Sequence, residues 1–494
     1  MWRLTPARRA GIREAVLRRP SVRAAEWPLV RRSAERASPV APLAPIPLAP
    51  LTDPLSGEQW GLQQDGWDAR LVGREPRPII AILDGGLDLQ HPEWSGANAG
   101  VIIAPHSVIP GRNQLNVDDW GRTGHGTHVA GIAAAPANGI GVVGVAPASA
   151  QSRLMPVQVA SRDGEFLDED MIAGIRWAVR NGAKVINISA GGPGDTYAFQ
   201  RVVYWATRRG ALIVAAVGNE GDGDNKLLYP AAYRRVLGVG AQCGPERTPD
   251  CRTPLGVAAF SQHNRSVDLI APGVDVLSTV PKEIADDEIS PGYAFRDGTS
   301  MAAPYVAGVA ALVQAANGNA LTPYQVMRHL ESTARDLGPA GRDDRTGWGA
   351  VDVAKAVTTP VPPDDGGELN DDIAYLGNAT DLSSATAPLV VEADVDAQDD
   401  PDDVYAVTVR RGQRVRVEVT ADRGRLEVYL WGPRTASVSV RTGPNARRNL
   451  LAQSRRPGRR QVAVVRATRS GRVYVDVHAP RGTTGYTMRV RRQR

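Results

Sequence analysis

The chain has two cysteines and four lysines among its 494 residues. No stretch approaches the roughly 18 consecutive apolar residues that a membrane-spanning helix needs. On that count no transmembrane helix is expected. Two cysteines, Cys243 and Cys251, permit at most one internal bridge. They bracket a Gly- and Pro-containing loop, so they either close a small disulfide, which calls for an oxidising compartment, or remain two free loop thiols. The first residues, Met1-Trp2-Arg3-Leu4-Thr5-Pro6, have no apolar core of the signal-peptide kind. No RNA- or DNA-binding motif accompanies the basic residues, so no specific nucleic-acid partner is expected. The pattern Gly-x-Ser-x-Gly is missing around Ser300, which argues against an esterase or lipase.

The charge is unevenly spread. The formal total is +5, yet the segment from Trp431 to Arg494 holds 16 arginines against a single acid, Asp476. The middle of the chain is correspondingly acidic. A basic tail of this kind attracts an anionic surface or polymer, although a general preference for arginine over lysine would give the same count.

Three glycine-flanked motifs stand out. Ile79-Ile80-Ala81-Ile82-Leu83-Asp84-Gly85-Gly86 reads as a buried strand ending in a carboxylate. Gly124-His125-Gly126-Thr127-His128 leads into a small-residue helix. Gly298-Thr299-Ser300-Met301-Ala302-Ala303-Pro304 sets a serine at the mouth of an apolar helix. A serine alcohol is a poor nucleophile unless an imidazole takes its proton and a carboxylate orients that imidazole. Each residue has a plainer reading: Asp84 as a turn former, Ser300 as a helix cap, and His125 with His128 as metal ligands. The conjunction, in the order Asp, His, Ser, favours catalysis.

These residues resemble those of the subtilisin-like serine proteases (subtilases), over about 59–357. The resemblance implies Asp84, His125 and Ser300 as the triad and Asn219, in Gly218-Asn219-Glu220-Gly221, as an oxyanion donor. It implies substrate binding as an added strand along Ser189, Ala190 and Gly191, with a second rim near Gly164 to Phe166. Gly347-Trp348-Gly349 resembles the turn that closes the family's domain. Gly85 departs from the usual Ser or Thr after the aspartate. The resemblance also implies a structural calcium held by Gln59, Glu93 and Asn138 with the carbonyls of Pro136, Ile140 and Val142; a solvated turn is the alternative. Oxygen-only ligands suit that ion. Asp168, Glu220, Asp222 and Asp224 put acid near the expected cleft and would favour basic substrates.

Candidate strands at 79–84, 152–159, 183–190, 211–218 and 235–242 alternate with candidate helices at 125–135, 169–181, 195–209, 300–316 and 322–335. Continuous apolar strands separated by helices imply an α/β fold with a doubly wound, mostly parallel sheet covered on both faces. From about Pro388 the period changes to two, which suggests an antiparallel β-sandwich. It resembles the pre-peptidase C-terminal domain appended to many secreted peptidases. The expected organisation is a truncated propeptide-like segment and linker at 1–55, a subtilisin-like catalytic domain at 56–358, a linker at 359–387 and a β-sandwich at 388–494. A helix at 10–17 and a strand at 21–26 belong to the first piece. The function implied is that of a serine endopeptidase acting on polypeptides, taken as a secreted monomer. A peptide ligase or macrocyclase using the same acyl-enzyme, and a catalytically silent binding protein, are the alternatives.

Overall fold

The computed structural model describes residues 30–33, 36–37 and 53–493, leaving aside 73–75, 121–122, 150–151, 285–290, 398–400 and parts of 363–388 and 436–447. The helix expected at 10–17 and the strand at 21–26 lie outside the described residues. The chain forms two compact units, Met1–Pro362 and Pro363–Arg494.

In the first unit, short strands β1 (Val30–Ser33) and β2 (Arg36–Ala37) precede helix α1 (Trp60–Gln64). Then follow β3 (Ile79–Asp84), β4 (His106–Ser107), α2 (His125–Ala134), β5 (Leu154–Gln158), β6 (Glu165–Leu167), α3 (Asp168–Arg180), β7 (Ala183–Ile188), β8 (Ala190–Gly191) and α4 (Tyr197–Thr207). The unit continues through β9 (Leu212–Ala216), β10 (Val236–Gln242), β11 (Leu269–Pro272), β12 (Val276–Thr279), β13 (Tyr293–Asp297), α5 (Thr299–Ala316), α6 (Pro323–Thr333) and α7 (Val353–Thr358).

Seven strands form one parallel sheet in the order β11-β10-β9-β7-β3-β5-β4. β5, β9 and β10 are buried along their whole length, which is why their sequences are unbroken rather than alternating. One face packs on α2 and α5. The other packs on α3, through Met171, Ile175 and Ala178, and on α4, through Phe199, Val202 and Val203. Those spacings of three and four place each helix's apolar stripe on one side. α5 is apolar around its whole circumference because the core surrounds it. It is long and apolar enough to cross a membrane, but it is 89% buried inside the unit. Thr322 starts α6 with a capping box, its hydroxyl accepting from Gln325 N–H while the Gln325 side chain accepts from Thr322 N–H.

The strands β11, β12 and β13 are additions to the sequence reading. They are four or five residues long, too short for a periodic signal to stand out. The turn at Gly347-Trp348-Gly349 closes the unit as a backbone clasp: Trp348 N–H donates to Asp268 O, and Ile270 N–H donates to Gly349 O. Cys243 and Cys251 form a disulfide, with Cα atoms 5.5 Å apart.

The second unit is an antiparallel sandwich. One sheet has the order β14-β21-β16-β19, from β14 (Leu389–Asp396), β21 (Thr483–Gln493), β16 (Arg414–Ala421) and β19 (Arg460–Arg466). The other has the order β15-β20-β17-β18, from β15 (Asp402–Val409), β20 (Gly471–His478), β17 (Glu427–Trp431) and β18 (Leu450–Ser454). Val415, Val417 and Val419 of the first sheet share a core with Val473, Val475 and Val477 of the second. Part of the segment read as linker joins this unit: Leu382 is buried in its core, and Ile373 and Leu376 pack against its smaller cluster.

Candidate active site

The first carboxylate comes from the end of β3, where a parallel sheet presents its carboxyl edge. Asp84 is buried, and the Nδ1 of His125 lies 2.8 Å from its Oδ1 and 3.0 Å from its Oδ2. His125 is the first residue of α2. The approach depends on Gly126, because a Cβ there would stand 2.1 Å from Gly86 O and 3.2 Å from Asp84 Cβ.

Ser300 lies in the first turn of α5. It is clasped reciprocally with Ser189: Ser300 Oγ donates to Ser189 O at 3.0 Å, and Ser189 Oγ donates to Ser300 O at 2.8 Å. Asn187 Nδ2 in turn donates to Ser189 Oγ. Asn219, just past the end of β9, is held by Thr299, whose N–H and hydroxyl both donate to Asn219 Oδ1 at 3.0 and 2.9 Å. That fixes the side-chain plane and leaves its NH2 at the opposite corner of the amide. The expected site residues thus form two bonded sets, Asp84 with His125, and Ser300 with Ser189 and, through Thr299, Asn219; they come from β3, α2, the β7–β8 turn, the segment just past β9 and α5, which are far apart in sequence.

Ala190 and Gly191 form β8, while Gly164 sits in the turn before β6 rather than in the rim strand itself. Between these rims runs another piece of the same chain. β1 pairs antiparallel with β6 (Arg31 opposite Phe166) and with β8 (Arg32 opposite Gly191, Ser33 opposite Ala190). β2 then pairs with β13, Arg36 opposite Asp297, two residues before Thr299.

Sequence reasoning missed two acids. Asp119 is half-buried near Asp84 and His125, and its Oδ2 accepts from both the N–H and the hydroxyl of Thr127. Burial, together with the charge of Asp84, pushes its carboxyl upward. Its Oδ1 would lie 3.5 Å from a Cβ on Gly85, the position that departs from the family's Ser or Thr. The signal was its place just ahead of Gly124-His125. The second acid is Asp53, whose Oδ1 accepts from the N–H groups of Asn138 and Gly139 at 3.0 and 3.1 Å.

Asp53 changes the candidate metal centre. Gln59 is bonded at both ends to the backbone of Val143, so it does not supply a free oxygen. Asp53 instead faces the loop 136–142 that carries the carbonyls of Pro136, Ile140 and Val142. Glu93 accepts from Asn138 Nδ2 (2.8 Å), Val142 N–H (3.2 Å) and the Tyr293 hydroxyl (3.1 Å). Burial, with Asp53's charge adding to it, raises Glu93 to about 7 despite these donors. Asp53 Oδ2 is buried with no hydrogen-bond partner. Two buried carboxylates, one orphaned oxygen and an oxygen-rich loop fit a hard cation.

The metal reading of the histidine pair fails, because His128 is fully buried and its Nε2 meets Ala294 O at 3.0 Å. The acids expected to favour basic substrates are also fewer at the surface than the sequence suggests. Asp168 is buried and accepts from Thr196 Oγ, and Asp224 is paired with Lys226.

Residues 76–349 match the model of the subtilase family. The chain belongs to that family. It is 35% identical to fervidolysin of Fervidobacterium pennivorans over 332 residues, covering 64% of this chain and 46% of that protein. It is 38% identical to subtilisin BL of Lederbergia lenta over 259 residues, covering 52% of this chain and 84% of that protein. The chain thus spans less than half of fervidolysin but most of the shorter subtilisin. The crystal structure of fervidolysin, described as a keratinolytic enzyme related to subtilisin, superposes with a TM-score of 0.57 at 22% identity, over 88% of this chain and 78% of that one. At that identity the likeness speaks for the fold.

Proposed function

We propose that the first unit is a serine endopeptidase that cleaves polypeptides through an acyl-enzyme. The observation that carries this reading is the strand in the cleft. β1 extends the rims β6 and β8, and β2 lies on β13, so the chain enters on one side of Ser300 and leaves on the other. A polypeptide bound by strand addition takes the same path. Ser300 Oγ would leave Ser189 O to attack the carbonyl, and His125 would take its proton and return one to the leaving amine. Asp84 would hold the imidazole tautomer and stabilise the imidazolium. The Asn219 amide and the Ser300 N–H, at the positive end of α5, would hold the oxyanion; losing one such donor costs about 3–4 kcal/mol of barrier.

β1 ends at Ser33 opposite Ala190 and β2 begins at Arg36 opposite Asp297, and on this reading the first substrate is the chain itself, cut between those two strands. Calcium would bind Asp53, Glu93 and Asn138 with the carbonyls of loop 136–142 and would tie that loop to the N-terminal part of the unit. Polypeptides are the substrates, and the Cys243–Cys251 disulfide supports an extracellular setting. Boundaries near 56 and 358 go with this reading, with the residues from Ile373 onward belonging to the sandwich and the peptidase complete without it.

The test is intact-mass and N-terminal analysis of the parent and of Ser300→Ala. The parent should begin within 34–36 and should cleave a denatured protein into fragments whose masses include one added water per cut. Ser300→Ala should keep the upstream residues and cleave nothing. An unprocessed, inactive parent would sink the proposal, and products joined to an amine would favour a ligase.

A further inference from the structure

The outer face of the sheet β14-β21-β16-β19 carries arginine where a sheet normally avoids it. Residues alternate along each strand: Val415, Val417 and Val419 face the core, while Arg414, Arg416 and Glu418 face out. On β21, Met488 and Val490 face in while Arg489 and Arg491 face out. The register sets Arg416 directly opposite Arg491, and Arg414 opposite Arg466 of β19. Like charges directly opposite one another are destabilising. Arg460, beside the same depression, completes a group of six.

Glu418 is the one acid lining that depression, Glu392 and Asp394 of β14 standing farther along the same face, and it is taken by Arg460 at 2.7 Å and Arg416 at 3.6 Å. Arg414, Arg489 and Arg491 make no ion pair or hydrogen bond among the described residues. Several arginines elsewhere in the unit are neutralised instead. Arg441 meets Asp402 and Asp476, Arg425 and Arg455 meet Glu427, and Arg472 meets Asp381. Others, such as Arg423, Arg434, Arg469 and Arg481, are exposed without an ion pair among the described residues, but they stand singly in turns, whereas this face sets its arginines side by side on one sheet.

We propose that this face binds a linear acidic polysaccharide, carrying sulfate or uronate groups, and so anchors the peptidase to such a polymer. Extended strands root these arginines about 4.8 Å apart across the sheet and about 6.7 Å apart along it, in a regular backbone grid from which the long side chains rise. Each guanidinium can take a carboxylate or sulfate through two parallel hydrogen bonds. The face offers no aromatic side chain, so it lacks the stacking platform that single-stranded nucleic acids use. It has no helix or protruding ribbon to enter a duplex groove. The disulfide in the first unit places the chain where acidic glycans, rather than nucleic acids, are the abundant polyanions.

The experiment uses the full chain carrying Ser300→Ala, with heparin and alginate as the acidic polysaccharides, dextran as the neutral one and a short DNA duplex as the nucleic acid. At about 50 mM salt it should bind both acidic polysaccharides and not dextran. Replacing Arg414, Arg416, Arg489 and Arg491 by Gln should weaken binding at least ~30-fold and flatten the salt dependence by roughly three counterions. The same four changed to Lys keep the charge but lose the fork, and should weaken binding several-fold. Replacing four exposed arginines off the face (Arg423, Arg434, Arg469 and Arg481) removes the same net charge and should change affinity less than threefold. Melting of the face variant should stay at or above that of the parent, since like charges are relieved. Equal losses in the two Gln sets, or tighter binding to the duplex than to either polysaccharide, would overturn the proposal.

Discussion

Gly126→Ala is the sharpest single probe of the active-site geometry. The added methyl would stand 2.1 Å from Gly86 O, 3.1 Å from Gly86 N and 3.2 Å from Asp84 Cβ. A carbon and a carbonyl oxygen sit comfortably at about 3.3 Å, so the start of α2 must retreat by a little over 1 Å. His125 begins that helix and bonds Asp84 at 2.8 Å, and the same retreat stretches the contact past hydrogen-bond range. Misplacing a catalytic group by about 1 Å costs about 100-fold, and losing the orienting carboxylate outright costs about 10,000-fold. kcat should therefore fall between those limits, with KM nearly unchanged because no rim strand moves. The helix itself should not suffer, as alanine is the better helix former by about 1 kcal/mol. The assay is steady-state hydrolysis of a short chromogenic peptide, with circular dichroism to check the fold. Gly57→Ala, where nothing lies within 4 Å, serves as the neutral control. A folded Gly126→Ala enzyme with kcat within threefold of the parent would refute the reasoning.

Two further outcomes follow from buried acids. Free calcium should raise the melting temperature, by about 2.7 kcal/mol of stability at a hundred times the dissociation constant. Asp53→Ala should abolish that response while Gln59→Ala should not, and a chelator without effect on the parent would remove the site. Asp65 is fully buried with Arg335 3.7 Å away, and burial, only partly offset by Arg335, raises it to about 8. A carboxyl raised above its unfolded value contributes stability that is intact below about pH 4 and lost as pH rises through the folded value, at roughly 1.4 kcal/mol per pH unit. Asp65→Asn should therefore melt progressively higher relative to the parent between about pH 4 and pH 8 and by a constant margin above that, and parallel melting curves across the window would contradict the assignment.

How much of this was legible in the sequence depends on how local the signal was. β3, β7, β9 and β10 were readable because a strand buried on both faces must be apolar without interruption. α5 was readable because a helix enclosed on all sides must be apolar around its circumference. The paired sheets of the second unit announced themselves through alternation, as in Arg414 to Val419. Asp84, His125 and Ser300 were nameable because each stands in a glycine-flanked motif, and close backbone approach needs glycine. Strands such as β8 and β11 were not readable, since two to four residues carry no period.

What the sequence determined by itself was therefore the class of fold, the family and the candidates for the reacting groups. Only the tertiary structure decided their partners. It set Asp53 rather than Gln59 against the loop 136–142, placed Asp119 near Asp84 and His125, and laid β1 between β6 and β8. It also brought Arg416 opposite Arg491, 75 positions apart along the chain, while giving Arg441 to Asp402 and Asp476. The reason is physical. Hydrophobic period and glycine placement are properties of neighbouring residues. The partner of a charge is settled only when loop closure and strand register bring distant segments together.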